Sequence, residues 1–186
     1  MKQFLLCCAA ATFLVSCNSS DTGKSTASGD STSTTTATAT PKPTVDLPYT
    51  ASYSSSFTAD VSDADLKTVL MGYKDWADGN MTNVAKSVGD SLEWYRADGA
   101  HFKLSNAGIM KLWGTYRDSL SSVAIDMEAW QKMYSTDKKD SIISAWYKET
   151  DTYKGGKKVD SAYYNDINLM KGGKIVYLES YRRPAK

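Results

Sequence analysis

The spacing of apolar residues differs between the earlier and the later part of this chain, and that difference constrains the fold more than any other feature. Before Asp118, apolar residues recur mainly every three or four positions, which predicts amphipathic helices with one buried stripe. From Val123 onward they alternate with polar residues, as in strands that bury one face. Helices followed by a series of long strands predict an α+β fold, in which the helices cover one face of an antiparallel sheet.

Three helices are predicted. The first begins at Asp63 as N-cap and ends near Gly79, with its apolar stripe at Leu66, Val69, Leu70, Tyr73, Trp76 and Ala77. The second is short and covers Met81–Val88. The third is capped by Ser105 or Asn106, and it places on one face Ile109, Leu112, Trp113 and Tyr116.

The predicted strands comprise a short pair and four long segments. Asp98-Gly99 is a hairpin signal between Leu92–Arg96 and Ala100–Leu104. Gly155-Gly156 and Gly172-Gly173 are turns within the long series, whose members are Val123–Tyr134, Ile142–Tyr153, Val159–Met170 and Ile175–Arg182. The alternation in the first of these predicts one apolar face, formed by Val123, Ile125, Met127, Ala129 and Met133, and one polar face, formed by Asp126, Glu128 and Lys132.

The segment 18–46 has almost nothing apolar to bury, because it consists mainly of Ser, Thr, Ala and Gly. Such a segment cannot offset the entropy lost on ordering, and we predict a disordered tether over residues 17–48. It is preceded by one cation, an apolar run and a small residue before Cys17, which is typical of a signal peptide over residues 1–16. The folded domain is predicted to occupy residues 49–186.

Cysteines and charge exclude several classes of function. The three cysteines are Cys7, Cys8 and Cys17, so removal of the signal peptide leaves only Cys17. With a single histidine, His101, a His-rich or Cys-rich metal site is excluded, and we predict no metal and no cofactor. Loss of Lys2 leaves 21 basic and 21 acidic residues, and this balance argues against binding to nucleic acid.

The segment Leu14-Val15-Ser16-Cys17 resembles the lipobox of bacterial lipoproteins. The resemblance implies that diacylglycerol is attached to Cys17 and that the protein is anchored to a membrane of the envelope of a Gram-negative bacterium. The residue after the cysteine is Asn18 rather than the aspartate that retains some lipoproteins in the inner membrane. We therefore expect an outer-membrane location, facing the periplasm or the surface.

The order of elements and the last hairpin resemble the nuclear transport factor 2-like, or SnoaL-like, superfamily. The local match consists of the helix exit Ala77-Asp78-Gly79-Asn80, then Asn165-Asp166-Ile167-Asn168-Leu169, and Gly172-Gly173-Lys174-Ile175-Val176 followed by Tyr181. This resemblance implies a cone-shaped, strongly curved antiparallel sheet wrapped around three N-terminal helices. It also implies an apolar cavity that is open at one end, but it does not imply a reaction.

The chain departs from the catalytic pattern of the family's ketosteroid isomerases. Gly72 stands where the catalytic tyrosine is expected, with Tyr73 one position away and so rotated about 100° around the helix. Arg96 stands near the expected catalytic base. We therefore predict no catalytic residue, and we interpret His101 as a half-exposed strand residue rather than a general base.

Further acidic candidates are few. Asp126 and Glu128 could form a carboxylate pair, although the alternation around them favours a solvated outer face. Glu179 has Tyr177 and Tyr181 on the same strand face, which gives it an aromatic setting.

Five tryptophans and twelve tyrosines are the remaining signal, because most would form core while some could line a cavity. The predicted ligand-binding walls are Tyr73, Trp94, Trp113 and Met127. The leading prediction is therefore an envelope lipoprotein that binds a small apolar or aromatic ligand, or a protein partner, without catalysis. The alternatives are a small-molecule isomerase, dehydratase or hydrolase of the SnoaL-like type, and a docking module that uses the sheet face.

In two of the predicted strands, large apolar side chains occur at successive positions, Trp146-Tyr147 and Tyr163-Tyr164, and would therefore lie on both faces of the sheet. A sheet with one face in water should not show this pattern. We therefore predict that the outer sheet face is covered, for instance in a homodimer.

Overall fold

The structure is a computed structural model that describes residues 46–156 and 158–186. The predicted signal peptide, Cys17 and nearly all of the predicted tether lie outside these residues. The elements are, in chain order, β1 Phe57–Thr58, α1 Asp63–Ala77, α2 Met81–Ser87, β2 Val88–Tyr95, β3 His101–Ser105, α3 Asn106–Asp118, β4 Leu120–Ser135, β5 Asp140–Tyr153, β6 Val159–Lys171 and β7 Lys174–Pro184. None of the helices described is both long enough and apolar enough to cross a bilayer.

The helix boundaries follow from capping. The predicted N-cap Asp63 is wrong by one residue, because Ser62 has the extended backbone and its hydroxyl accepts the Asp65 N–H at 3.0 Å. Gly79 follows α1 with φ of +75°, a conformation that favours glycine. At α3 the cap is Ser105, one of the two predicted candidates, whose hydroxyl accepts the Gly108 N–H.

Arg117 at the end of α3 ties the first and third helices together. Its guanidinium donates to the carbonyls of Trp76 and Ala77, both at 3.1 Å, at the C-terminus of α1. Terminal carbonyls of a helix have no partner within the helix, so an arginine from outside satisfies them and complements the helix dipole. The two helix ends are therefore held side by side.

The seven strands within the described residues form one curved, unclosed sheet in the order β1-β4-β5-β6-β7-β2-β3. Every pairing is antiparallel except that of β2 with β7, which is parallel, so the sheet is mixed rather than antiparallel throughout as predicted. The parallel pair arises because β2 runs directly out of α2 and joins the free edge of the last strand. Local sequence patterns predicted the strands but could not predict this pairing.

A bulge in β4 changes which residues face the helices. Met127 lies opposite Tyr147, but Ala129 lies opposite Trp146, so one residue is inserted between the two pairs. Because side chains alternate with a period of two, the insertion reverses the faces beyond it. The predicted continuous apolar face is therefore wrong after Met127, and Trp130 and Lys132 take the parity that pairs with the inward Ala145 and Ile143.

The core lies between the helices and the inner face of the sheet. It is formed by Val61, Val69, Val88, Leu92, Ile109, Ile143, Met170 and Ile175. This apolar cluster includes Ile143 near the start of β5 and Met170 near the end of β6. Farther along the inner face of the same two strands lie polar and aromatic side chains, among them Tyr147, Glu149 and Asp166, and these line a cavity.

Candidate functional site

A cavity of about 830 Å³ opens between α1, α3 and the inner face of β5, β6 and β7. Tyr73, Trp94 and Trp113, three of the four predicted walls, line it. Met127 on β4 does not line it, although its side chain is half-buried and it pairs with the inward Tyr147 of β5. Sequence parity placed Met127 on the inner face correctly, but the cavity is lined from β5 onward and does not extend to this strand.

Asp166 is the polar centre of the cavity wall. Its side chain is only 3% exposed, and its Oδ2 accepts hydrogen bonds from the hydroxyls of Tyr73 at 3.0 Å and Tyr147 at 2.8 Å. Its Oδ1 is buried and accepts no hydrogen bond from the residues that the structure describes. Since a buried oxygen without a partner is costly, a donor that reached Oδ1 would stabilise this carboxyl.

Asn168, two residues along β6 from Asp166, orients the Tyr73 hydroxyl. Its amide nitrogen donates to the Tyr73 hydroxyl at 3.1 Å and to the Ile143 carbonyl at 3.2 Å. Because the Tyr73 oxygen accepts from Asn168, its proton is left to be donated to Asp166. Burial raises the pKa of Asp166, while Ser180, opposite it on β7, and the two tyrosine hydroxyls counteract part of that rise.

Glu149 is the second acidic group in the cavity wall. Burial and the negative charges of Asp151 and Asp166 raise the pKa of Glu149 to about 8, while the Trp76 indole opposes the shift. The side chain is half-buried, so its oxygens remain within reach of the cavity. Glu149 therefore holds its proton at neutral pH, where an ordinary glutamate does not.

Asp151 lies two residues from Glu149 on the same face of β5. It is 4% exposed, its Oδ2 accepts the Tyr116 hydroxyl at 2.7 Å, and its carboxylate also accepts a hydrogen bond from the protonated Glu149 carboxyl. Burial is also the main reason that the pKa of Asp151 is raised. The two carboxyls influence each other, as expected where like charges share a buried site.

Aromatic rings surround these carboxyls. Trp76 and Tyr116 stack with ring centroids 6.2 Å apart, and Tyr147 stacks on Tyr164 at 5.3 Å. Trp94, on the opposite side of the cavity, meets Trp113 edge to face at 5.6 Å. The walls thus present both ring faces and ring edges, which suits a flat or apolar ligand.

The basic side chains of the cavity are engaged elsewhere. Arg96 pairs with Asp98 at 2.9 Å, and Arg182 pairs with Asp160 at 2.8 Å. Arg117 is used by the α1 carbonyls. Consequently no Lys or Arg among the described residues forms an ion pair with Glu149 or with the two buried aspartates.

Gly72 stands where the family's catalytic tyrosine is expected, and Tyr73 is the next residue of α1. A Cβ on Gly72 would lie 3.1 Å from the Ser87 hydroxyl oxygen, so this position is closed by α2. Tyr73, despite its offset, reaches the cavity and bonds Asp166. Arg96 also lines the cavity, with its guanidinium 5.5 Å from the centre of the Trp94 ring.

The remaining candidates lie away from the cavity. His101 is exposed, stacks on Tyr95 at 4.1 Å and contacts Glu93 at 3.1 Å. Glu179 accepts hydrogen bonds from Tyr177 and Tyr181 on the outer sheet face. Asp126 and Glu128 are exposed on β4, and the bulge separates their positions. No group of three or more potential metal ligands occurs within the described part of the chain.

No family model and no curated protein matches this sequence, but solved structures do. An LEH-like epoxide hydrolase of M. tuberculosis superposes with a TM-score of 0.56 at 8% identity, over 66% of this chain and 84% of its own. An NTF-2 like protein of unknown function from Burkholderia xenovorans gives 0.51 at 13% identity, over 67% and 86%. The chain has the nuclear transport factor 2-like cone fold.

A third protein of this cone fold was solved in complex with trimethylamine. It is a hypothetical protein with a ketosteroid isomerase-like fold from Catenulispora acidiphila, with a TM-score of 0.51 at 12% identity, over 62% of this chain and 84% of its own. These identities are low, so the likeness concerns the cone fold alone.

Sequence analysis missed the acidic centre of the cone. Glu149 and Asp151 are not among its candidates, and Asp166 and Asn168 enter it only through the match of Asn165-Asp166-Ile167-Asn168-Leu169 to the superfamily. A signal was nevertheless present, because these residues have the same strand parity as core residues such as Ile143, Ala145, Ala162 and Met170. Polar residues in phase with a buried apolar face are the pattern that would have identified them.

Proposed function

We propose that this protein is a lipid-anchored envelope protein whose cone cavity binds a small molecule with an aromatic or apolar surface. The observation that carries the proposal is an unfilled cavity of about 830 Å³ within a well-packed domain. Ligand pockets commonly measure about 300–1,000 Å³ and are mostly apolar with a few convergent polar groups. Here Trp94 and Trp113 supply apolar surface, and the Tyr73–Asp166 pair supplies a polar anchor.

The neighbours support a small-molecule role for the cavity. One protein of the same fold is named as an epoxide hydrolase, and another was solved with trimethylamine. The anchor rests on Cys17, and the tether would hold the domain away from the membrane surface. No further domain is needed for the proposal, because the cavity is built within residues 46–186.

A ligand screen tests the proposal. Tryptophan fluorescence and thermal shift are recorded for small aromatic and apolar compounds, and binding is expected to raise the melting temperature and change the emission of Trp94 and Trp113. A stabilisation of about 2.7 kcal/mol is expected when the ligand is at 100 times its Kd. If compounds that fit the cavity bind equally well after Trp113→Ala removes one of its aromatic walls, the cavity is not the site.

A second candidate function is a proton-transfer enzyme, namely an isomerase, dehydratase or hydrolase. The observation that favours it is the pKa of Glu149, about 8, in a cavity that also contains Asp166. A carboxyl that remains protonated near neutral pH can act as a general acid. Mass spectrometry of each bound compound tests it: turnover that is lost in Glu149→Gln and kept in Glu128→Gln establishes the enzyme, and an unchanged compound favours the binder.

A further inference from the structure

We infer that the ligand of this cavity is an organic cation, a protonated amine with an aromatic group, whose ammonium lies against Glu149. The inference rests on the proposed function and names its ligand class. It follows from two features: the charge balance of the cavity wall and the rings around its carboxyls.

The cavity wall contains carboxyls that no Lys or Arg of the described residues pairs with. Each cavity arginine already has a carboxylate: Arg96 pairs with Asp98, and Arg182 with Asp160. Glu149 and Asp166 also line the cavity, and neither has an ion-pair partner within the described residues. A cationic ligand would favour the carboxylate form of these groups and pair with it, whereas an anionic ligand would be repelled by that form.

Asp166 and Asp151 are the two most deeply buried carboxyls of this region. Asp166 lines the cavity in a side chain that is 97% buried, and its Oδ1 has no hydrogen-bond partner among the described residues. An N–H donor of a ligand that reached this oxygen would supply the missing partner. Asp151 forms a side-chain hydrogen bond with Glu149, so a cation beside Glu149 would be attracted by both carboxyls.

The rings around Glu149 provide the second half of a cation site. The stacked pair Trp76–Tyr116 lies on the helix side and the stacked pair Tyr147–Tyr164 on the sheet side. Ring faces attract ammonium groups, and the attraction is stronger where the groups are removed from water. Carboxyls within an aromatic enclosure suit an ammonium, while a metal ion would need a set of ligands that the described residues do not bring together.

Binding of a cation must be coupled to the proton on Glu149. The charged and titratable groups that act on Glu149 or on its neighbour Asp151, or that line the cavity beside them, are Asp151, Tyr147 and Tyr153 on β5, Asp160, Tyr164 and Asp166 on β6, Arg182 on β7, Tyr73 on α1, and Tyr116 and Arg117 on α3. The carboxyl has a pKa of about 8 in the free protein, so it is protonated at pH 7. When the ammonium binds, the O–H bond of the carboxylic acid breaks, the proton goes to solvent, and the carboxylate pairs with the cation.

Calorimetry of the full chain in detergent tests the inference with 2-phenylethylamine and its neutral analogue 2-phenylethanol. The amine remains charged through pH 8.5, since aliphatic amines titrate near 10.4. We expect the amine to bind at least tenfold more tightly than the alcohol at pH 8, with an affinity that rises about fivefold from pH 7 to pH 8. Titrations in two buffers of different ionisation enthalpy should show about 0.9 proton released at pH 7.

Glu149→Gln and Glu128→Gln form a matched pair, because both remove one negative charge and only the first lies in the cavity. Glu149→Gln should lower amine affinity at least tenfold and abolish both proton release and pH dependence, while Glu128→Gln should bind as the parent does. Equal binding of amine and alcohol would overturn the cation inference and leave the proposed function standing. Failure of both compounds and of every aromatic compound in the screen would overturn both.

Discussion

The Tyr73 hydroxyl on α1 donates a hydrogen bond to Oδ2 of Asp166 on β6, at 3.0 Å, across 93 residues of sequence. The contact joins the first helix to the centre of the sheet at the point where the apolar core ends and the cavity begins. Burial raises the pKa of Tyr73 well above its ordinary value, so its proton is retained as a donor. This pair is both a structural connection and the polar anchor of the site.

Tyr73→Phe should destabilise the domain by about 1–3 kcal/mol. It removes one of the two donors to Asp166 and leaves the Asn168 amide without one of its acceptors. Urea denaturation followed by circular dichroism measures the change. Tyr181→Phe is the matched control, because this ring is 52% exposed and its hydroxyl bonds only the surface carboxyl of Glu179. Its effect should stay within about 0.5 kcal/mol, and equal effects would contradict the anchor.

The stability of the domain should fall as the pH rises from 6 to 9. The folded pKa of Glu149, about 8, lies above the ordinary value of 4.5, so the folded state binds more protons than the unfolded state between these values. A group of this kind contributes most below the unfolded pKa, and its contribution is lost as the pH rises through the folded pKa. Thermal melts at several pH values should show this decline in the parent and a flatter profile in Glu149→Gln, at roughly 4 °C per kcal/mol. A profile in the variant as steep as that of the parent would assign the effect to another group.

Trp94→Ala should weaken ligand binding by on the order of 1–3 kcal/mol, because it removes a ring that forms a cavity wall. Trp130→Ala is the control, since Trp130 is 51% exposed on β4 and outside the cavity. Fluorescence titration with a compound identified in the screen gives both dissociation constants. Comparable losses in the two variants would show that the wall assignment is wrong.

Cys17→Ser should release the protein from the membrane fraction. Two or more acyl chains anchor a protein stably, as each buried CH₂ contributes roughly 0.8 kcal/mol. Cell fractionation with immunoblotting measures the distribution, and density-gradient separation of the two membranes tests the outer-membrane prediction. If the variant stays in the membrane fraction like the parent, attachment through Cys17 is incorrect.

The outer sheet face should form a homodimer contact. Aromatic and apolar groups share this face of β5, β6 and β7, namely Trp146, Tyr163, Ile167, Tyr177 and Tyr181. Such a continuous surface is typical of a covered face. Light scattering of residues 46–186 should report a dimer, which Ile167→Lys should convert to a monomer and Met71→Lys, on the exposed side of α1, should not. A monomeric parent at high micromolar concentration would remove this prediction.

Local patterns predicted most of the elements. The stripe of α1, the glycine turns with positive φ at Gly155-Gly156 and Gly172-Gly173, and the long strands all occur as expected. The reason is that helical spacing, strand alternation and turn conformation depend on residues within a few positions of one another. The resemblance to nuclear transport factor 2-like proteins rested on the same local features, and it is confirmed at the level of the fold.

The tertiary structure alone decided three features of the protein. The parallel pairing of β2 with β7 joins segments about 85 residues apart, and the bulge after Met127 exchanges the two faces of β4. The acidic centre around Asp166 brings Tyr73, Tyr147 and Asn168 together from one helix and two strands. None of these is encoded in local spacing, since each depends on which distant backbone lies alongside and how much water is excluded there. The elements could therefore be predicted from the sequence by itself, whereas the raised pKa values and the chemistry of the cavity arise only where folding brings carboxyls and rings into one buried space.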